Sequence, residues 1–415
     1  MANMSKFSVT VVGLGYIGLP TAAILASRGH DVVGVDVSEN VVNLVNSGKP
    51  HIEEADLLGM VQAAVNSGQL IAKTTPVASD VFIVAVPTPV LASRAPDVSY
   101  IKAAVLAICP VLRGSELIIL ESTSPVGTTR LIKSIVKNER PDLFKANEDT
   151  ELSFAYCPER VIPGRILHEL VYNDRVIGGI ESIDAKRAIE FYSTFVKGVL
   201  VQSNDLTAEM VKLTENSYRD VNIAFANELS IICDELNIDV WELIRIANLH
   251  PRVDILSPGP GVGGHCIAID PWFIVDRHGD NAQLIRAARE VNIKKESWVA
   301  GKISQAIKAS AASKVKILGL TYKADTDDVR ESPSINIIQY LASSHESTEF
   351  IVYDPWVTTL PKKLAGAKNI RQVGIMPNFL EHDLVVVLVA HKQFKHLFSA
   401  NLICKVLDYT GIWLK

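Results

Sequence analysis

Between the apolar run Ser8–Val12 and the helical pattern that follows it stands Gly13-Leu14-Gly15-Tyr16-Ile17-Gly18, three glycines at GxGxxG spacing. Few local patterns restrict a fold more. A buried strand must turn sharply into a helix that packs back against it. The first glycine permits the tight turn and the second lets backbone approach a pyrophosphate. The third lets helix and strand pack closely, with the helix N-terminus facing the anion. Asp36 then closes the next apolar run, Asp31–Asp36, at about the ~20-residue distance expected of a ribose-binding carboxylate. A glycine turn alone is a weak signal. With this context it predicts a dinucleotide-binding βαβ unit, with Gly13, Gly15, Tyr16, Ile17, Gly18 and Asp36 on the cofactor. A carboxylate accepts hydrogen bonds from the ribose hydroxyls and repels a 2′-phosphate, so NAD is favoured over NADP.

Beyond this unit the first half alternates short apolar runs with helical patterns. Val81–Val86, Leu117–Glu121, Ser153–Tyr156, Arg175–Gly178 and Val199–Gln202 complete the candidate strands. Most are continuous Val/Ile/Leu runs, as expected of strands covered on both faces of a parallel sheet. From Val199 to His250 there is no glycine or proline. After the strand this stretch predicts a long helix from Asn204 or Asp205, with a break near Asn237. A helix of that length connects domains or forms an oligomer seam. The last third repeats the logic of the first: Val315–Leu320, Phe350–Asp354 and Asp383–Val389 match the strands of the N-terminal unit, but Thr321-Tyr322-Lys323-Ala324-Asp325 replaces the glycine turn. The expectation is an α/β chain of two Rossmann-like doubly wound domains, 1–203 and 305–415, joined by a central helical region, 204–304. The second domain is expected to hold something other than a dinucleotide.

At 415 residues the chain is long enough for two or three domains, and its net charge of −5 indicates no general affinity for nucleic acid. The five cysteines, at 109, 157, 233, 266 and 404, are scattered without CxxC spacing, which reads as a reduced, cytoplasmic protein with no metal site. The uncharged stretch Phe7–Ser27 superficially resembles a signal peptide, but Gly13, Gly15, Gly18 and Pro20 interrupt it. No other run is long enough to span a bilayer, and no membrane partner is expected.

Several motifs carry candidate chemistry. Val86-Pro87-Thr88-Pro89 and Glu121-Ser122-Thr123-Ser124-Pro125-Val126-Gly127 each end a strand, at the edge where doubly wound folds bind ligands. Pro87, Thr88 and Thr123 are candidate cofactor contacts there; turn chemistry at strand ends is the alternative. Cys157-Pro158-Glu159-Arg160-Val161-Ile162-Pro163-Gly164 follows another strand, with Glu159 able to position a water or a hydroxyl and Cys157 better read as a packing residue. Lys212 and Asn216 lie one turn apart on the long helix, where they can donate to a developing oxyanion. In isolation Lys212 reads better as a solvated helix lysine. In Gly261-Val262-Gly263-Gly264-His265-Cys266-Ile267-Ala268-Ile269-Asp270, the glycines let backbone come close to a ligand. Cys266 there is a nucleophile candidate, and Asp270 a base or water-orienting carboxylate. Lys323, Asp325, Asp328, Arg330 and Glu331 form a dense charged loop: solvated, or suited to phosphate.

In this order these motifs resemble the UDP-glucose/GDP-mannose dehydrogenase family from end to end. The resemblance is carried by Gly13–Gly18, Ser122-Thr123-x-Pro125-x-Gly127, Pro158-Glu159, Lys212, Asn216, Gly263-Gly264-His265-Cys266 with Asp270, and Asp327-Asp328-x-Arg330-Glu331-Ser332. It implies NAD-dependent, four-electron oxidation of the C6 alcohol of a UDP-sugar to a carboxylate. Cys266 would form a thiohemiacetal and then a thioester, Lys212 and Asn216 would hold the oxyanion, and Thr123, Asp270 and Glu159 would align the hydrolytic water. It also implies Arg330 toward the cofactor phosphates. Glu159, Arg160, Val161, Lys212, Asn216, Arg252, Gly263 and Lys323 would lie on the substrate. The central helices would form a homodimer, and residues 305–415 would be the UDP-sugar domain. UDP-glucose enzymes carry a second Glu shortly after the Pro-Glu pair; Pro163 stands there in this chain. Together with the run His250-Pro251-Arg252-Val253, that departure resembles the branch acting on N-acetylated hexosamines.

Overall fold

The computed structural model describes residues 6–147, 149–310, 312–400 and 404–413. The extreme ends of the expected domains, 1–5 and 414–415, lie outside the described residues. Two compact units are present, one running to Thr214 and the other from Glu215.

The first unit runs β1 (Ser8–Val12), α1 (Gly18–Ser27), β2 (Asp31–Val35), α2 (Glu39–Asn46), α3 (Leu57–Asn66), β3 (Leu70–Lys73), β4 (Val81–Val84) and α4 (Ser99–Ile108). It continues with β5 (Leu117–Leu120), α5 (Thr128–Glu139), β6 (Ser153–Tyr156), α6 (Ile166–Tyr172), β7 (Arg175–Gly179), α7 (Ser182–Ser193) and β8 (Leu200–Asn204). The sheet order is β3-β2-β1-β4-β5-β6-β7-β8, so the chain reverses its direction of growth between β1 and β4, where ligands bind in such sheets. Alternation explains the two-sided core. Val81 and Ile83 of β4 join Val9, Val11, Leu117 and Ile119 in one cluster. Phe82 and Val84 join Ile118, Leu120 and Phe154 in another. Both faces are therefore apolar, which is why the strands read as unbroken hydrophobic runs.

Three strands end earlier than the sequence reading placed them, while β7 and β8 run on to Gly179 and Asn204. β2, β4 and β5 stop at Val35, Val84 and Leu120, before Asp36, Val86 and Glu121. Those polar or pre-proline positions already belong to the loops at the sheet's carboxyl edge. The sheet is also not wholly parallel: β7 pairs antiparallel to β6, with Tyr156 opposite Gly178. A run's composition does not carry its direction.

Helix α8 (Asp205–Leu236) contains the division between the units. It lasts because nothing in it breaks a helix, and it stops where Asn237 turns to a φ of 55°. Asp239 then accepts from the N–H groups of Trp241 and Glu242 and caps α9 (Val240–Ala247).

The second unit adds α10 (Asp270–His278), α11 (Gln283–Ser310), β9 (Lys314–Leu318), α12 (Pro333–Ser344), β10 (Glu349–Tyr353), β11 (Ile370–Gln372), β12 (Leu384–Val387) and β13 (Lys405–Asp408). Its sheet, β11-β10-β9-β12-β13, is parallel throughout and repeats the strand order of the first unit's leading half. Val315, Ile317, Leu384 and Val386 face α11 and α12 through Ile303, Ile335 and Ile338, while Leu318, Val385 and Val387 face Phe394 and Trp413. Among the described residues, no helix is long and apolar enough to cross a membrane.

Candidate active site

The glycine turn of the first unit assigns each glycine a different task. Gly13 has φ +95°, and a Cβ there would meet the Ala85 carbonyl oxygen at 2.6 Å. A Cβ on Gly18 would stand 1.7 Å from the Gly13 carbonyl oxygen, so α1 can leave the turn only with glycine there. A Cβ on Gly15 would meet nothing within 4 Å among the described residues, its chain neighbours aside. The protein's own packing does not require glycine at that place, which suits a position approached by a ligand. Tyr16 and Ile17 are half-buried beside it, and among the described residues no side chain caps α1. Asp36 folds back to the turn: its carboxylate accepts from Leu14 N at 3.1 Å and Ser38 N at 2.9 Å. The carboxylate is thus held at the end of β2, where a ribose would lie.

The neighbouring loops are tied together by Ser122, whose hydroxyl donates to the Val86 carbonyl at 2.6 Å. Thr123 beside it is half-buried and Pro87 is exposed. Thr88 Oγ1 and Ser124 Oγ are buried without a hydrogen-bond partner among the described residues. Buried hydroxyls are rarely left so. Sequence reasoning missed Glu209 on α8, which is 0% exposed. Its carboxylate accepts from Gly127 N at 2.5 Å, Thr129 N at 2.7 Å and Thr129 Oγ1 at 2.7 Å. It therefore holds the start of α5 and the loop carrying Thr123. Burial pushes its pKa up against the pull of those donors.

Glu159 and Lys212 are brought together. The Lys212 ammonium donates to the Glu159 carbonyl at 2.8 Å and lies 3.6 Å from its carboxylate. Lys212 is 6% exposed, which corrects its reading as a solvated helix lysine. The Glu159 carboxylate accepts from Val161 N at 2.8 Å, and Arg160 donates to the Asp174 carbonyl at 3.4 Å. Glu54 holds the start of α6: its carboxylate takes Gly164 N and Ile166 N, each at 2.8 Å. Behind these loops Arg175 lies 3.8 Å from Glu121, which accepts from Tyr192 at 2.6 Å. Cys157 is fully buried with Arg175 at 3.7 Å, and burial pushes its thiol up, in keeping with a packing role.

In the second unit the Cys266 loop is built on a carboxylate. Asp270 opens α10 at 3% exposure; its N–H donates to the Cys266 carbonyl at 2.8 Å, and its carboxylate accepts from Asn216 at 2.5 Å. Cys266 itself is half-buried, with Sγ 4.0 Å from His265 Nδ1. Arg289, buried and paired with Asp220 at 2.6 Å, also reaches the Ile267 carbonyl at 3.4 Å. The loop glycines also have a packing reason that the sequence did not disclose. A Cβ on Gly263 would meet the Glu331 carbonyl oxygen at 2.4 Å, and one on Gly264 the Tyr322 ring at 2.8 Å. Gly264 N donates to the Arg330 carbonyl at 3.1 Å. Glycine is needed there because the 322–333 segment packs directly on the loop. Arg330 is bidentate on Asp328. Burial would raise Asp328, but the guanidinium outweighs it and holds the carboxyl below its ordinary range. Lys323 is exposed, with its carbonyl accepting from Thr321 Oγ1 at 2.8 Å. Arg252 lies exposed in the turn at residues 251–252. Among the described residues no cluster of His, Cys, Asp or Glu could hold a metal ion.

One expected result tests the cofactor half. Asp36→Ala should raise the KM for NAD roughly tenfold, the scale of a lost charge-assisted hydrogen bond, and narrow the preference over NADP. Steady-state kinetics with both coenzymes checks this; an unchanged preference removes the ribose assignment.

Comparison with known proteins agrees along the whole chain. Residues 7–196 match the NAD binding domain of the UDP-glucose/GDP-mannose dehydrogenase family, 206–294 its central domain and 316–410 its UDP binding domain. The chain is 48% identical to a UDP-N-acetyl-D-mannosamine dehydrogenase of Escherichia coli K12, over 99% of this chain and 100% of that one. It is also 48% identical to an NDP-N-acetyl-D-galactosaminuronic acid dehydrogenase of Ralstonia nicotianae, over 98% and 96%. Among solved structures, a UDP-D-ManNAc dehydrogenase from Pyrococcus horikoshii superposes with TM-score 0.84 at 36% identity, covering 98% of this chain and 96% of that one.

Proposed function

The chain belongs to the UDP-glucose/GDP-mannose dehydrogenase family, and from that premise we propose that it oxidises UDP-N-acetyl-D-mannosamine at C6 to the uronate. NAD+ supplies the hydride acceptor for both two-electron oxidations. The Cys266 thiolate adds to the C6 aldehyde, and the carbonyl electron pair moves to oxygen as Lys212 and Asn216 donate to it. Loss of the second hydride from C6 leaves a thioester. Water aligned by Thr123, Asp270 and Glu159 adds to that carbonyl and gives up its protons to solvent, the C–S bond breaks, the carboxylate leaves and Cys266 returns to the thiolate. Covalent capture keeps the aldehyde on the enzyme between the two oxidations.

The observation that carries this reading is the Cys266 loop, anchored through its carbonyl to Asp270, which Asn216 in turn holds. The remaining roles follow the family pattern. Gly13, Gly15, Tyr16, Ile17, Gly18, Asp36, Pro87, Thr88, Thr123 and Arg330 contact NAD; Arg160, Val161, Arg252, Gly263 and Lys323 contact the UDP-sugar. Residues 1–203, 204–304 and 305–415 act as cofactor, central and UDP-sugar parts. A homodimer through α8 is supported by exposed Tyr218, Phe225 and Ile232, which recur every seven residues along one stripe. The protein would work in the cytoplasm, where both NAD and UDP-sugars are made.

The Ralstonia relative favours a second reading, the N-acetyl-galacto configuration, and UDP-N-acetylglucosamine is a third. Purified protein should be given each UDP-hexosamine and UDP-glucose, with NADH counted per sugar consumed. Two NADH per sugar and the highest kcat/KM for the manno sugar are expected. A wide preference for another epimer replaces the substrate; one NADH per sugar removes the four-electron reaction.

A further inference from the structure

His391 lies just beyond β12, is 0% exposed, and sits in a closed set of hydrogen bonds that the reaction scheme does not use. Its Nδ1 accepts from Asp325 N at 3.0 Å. A nitrogen that accepts from a backbone N–H carries no proton, so the ring proton is on Nε2. Nε2 lies 3.0 Å from Asp354 Oδ2 and 3.3 Å from Thr321 Oγ1, and both can share that proton. Burial would push Asp354 up, yet its donors, His391 foremost, hold it below the ordinary carboxylate range, as an acceptor there must be.

The ring therefore fixes both ends of the 321–325 turn. Asp325 is held at φ +59°, a conformation non-glycine residues rarely adopt, and its carboxylate takes Lys392 N at 3.0 Å. The Thr321 hydroxyl donates to the Lys323 carbonyl at 2.8 Å, and Thr326 Oγ1 to the same oxygen at 3.1 Å. Lys323, whose side chain is exposed, thus rises from a backbone tied on both sides. Tyr322 of the same turn stands against Gly263 and Gly264 of the Cys266 loop.

We propose that His391 is a positioning residue for the UDP-sugar: through Nδ1 it clamps the 321–325 turn so that Lys323 is presented to the nucleotide diphosphate. This rests on the reading of Lys323 as a substrate contact. Two substitutions divide the ring's roles. In His391→Asn the side-chain oxygen falls near Nδ1 and keeps the bond to Asp325 N. In His391→Gln the amide falls near Nε2, keeps Asp354, and loses Asp325. Using the full-length protein, the measurements are amide exchange of a peptide spanning 321–328, the Kd for UDP, and KM and kcat for UDP-sugar and NAD. His391→Gln should speed exchange and raise both the UDP Kd and the sugar KM roughly tenfold, the scale of one lost buried hydrogen bond, with kcat and the NAD KM unchanged. His391→Asn, which keeps that bond and gives up only the Nε2 contacts, should shift every readout clearly less than His391→Gln. Thr321→Val, which leaves the ring intact, should shift exchange and UDP Kd in the same direction. Equal damage from the Asn and Gln variants, or faster exchange without a change in UDP affinity, overturns the proposal. Lys323→Ala separates the two layers: if it leaves UDP affinity intact, the reading of Lys323 falls, whatever the exchange shows for His391.

Discussion

Cys266→Ser should lower uronate formation by roughly 10³-fold or more, a barrier increase of about 4 kcal/mol, and limit NADH to at most one per sugar. A serine hydroxyl is almost wholly protonated near neutral pH and adds to an aldehyde far less readily than a thiolate. The first hydride transfer does not need the sulfur; capture of the aldehyde does. The substitution is nearly isosteric, and the loop is held by backbone contacts: Gly264 N on the Arg330 carbonyl and Asp270 N on the Cys266 carbonyl. Stability should therefore change by less than about 0.5 kcal/mol, which excludes unfolding as the cause. Product analysis of the variant decides the matter. A normal uronate yield removes the covalent step, whereas a free aldehyde that accumulates and exchanges with solvent supports it.

What the amino-acid order disclosed depended on whether the signal was local. The glycine turn, Asp36 and the central apolar strands are dense local patterns, and they lie where expected. The strands that escaped notice, β3, β11 and β13, are sheet edges of three to four residues. In β3 alternate positions are exposed, so no apolar run marks it. The antiparallel pairing of β7 with β6 left no trace because the residues of a strand do not record which way it runs. At the site, residue types were legible but their pairings were not. Glu209 caps a helix start 82 residues earlier in the chain, and His391 grips a turn 66 residues before it. Nothing near either residue announces the partner. The glycines of the Cys266 loop show the opposite case: a correct pattern with an incomplete reason, since the Tyr322 ring and the Glu331 carbonyl demand them.

Lys212→Ala should reduce kcat by about 10²- to 10³-fold, the range seen when one oxyanion donor is removed, while the KM for NAD moves little. The ammonium acts on charge that develops only as C6 becomes tetrahedral, so its loss weakens the transition state more than the bound ground state. A structural effect also follows. Lys212 is the donor to the Glu159 carbonyl, and its charge sits 3.6 Å from the Glu159 carboxylate, whose side chain is 14% exposed. Removing it should destabilise the protein by about 1–3 kcal/mol, the cost of a buried acceptor left without its donor. Lys212→Arg separates the two contributions. A guanidinium restores positive charge beside Glu159 but is longer and planar, so it should recover much of the stability and little of the turnover. Thermal unfolding and kcat, measured on both variants, should therefore diverge. If the arginine variant regains stability and activity in parallel, Lys212 serves the architecture of the Pro158-Glu159 loop, and the oxyanion must be stabilised by other donors.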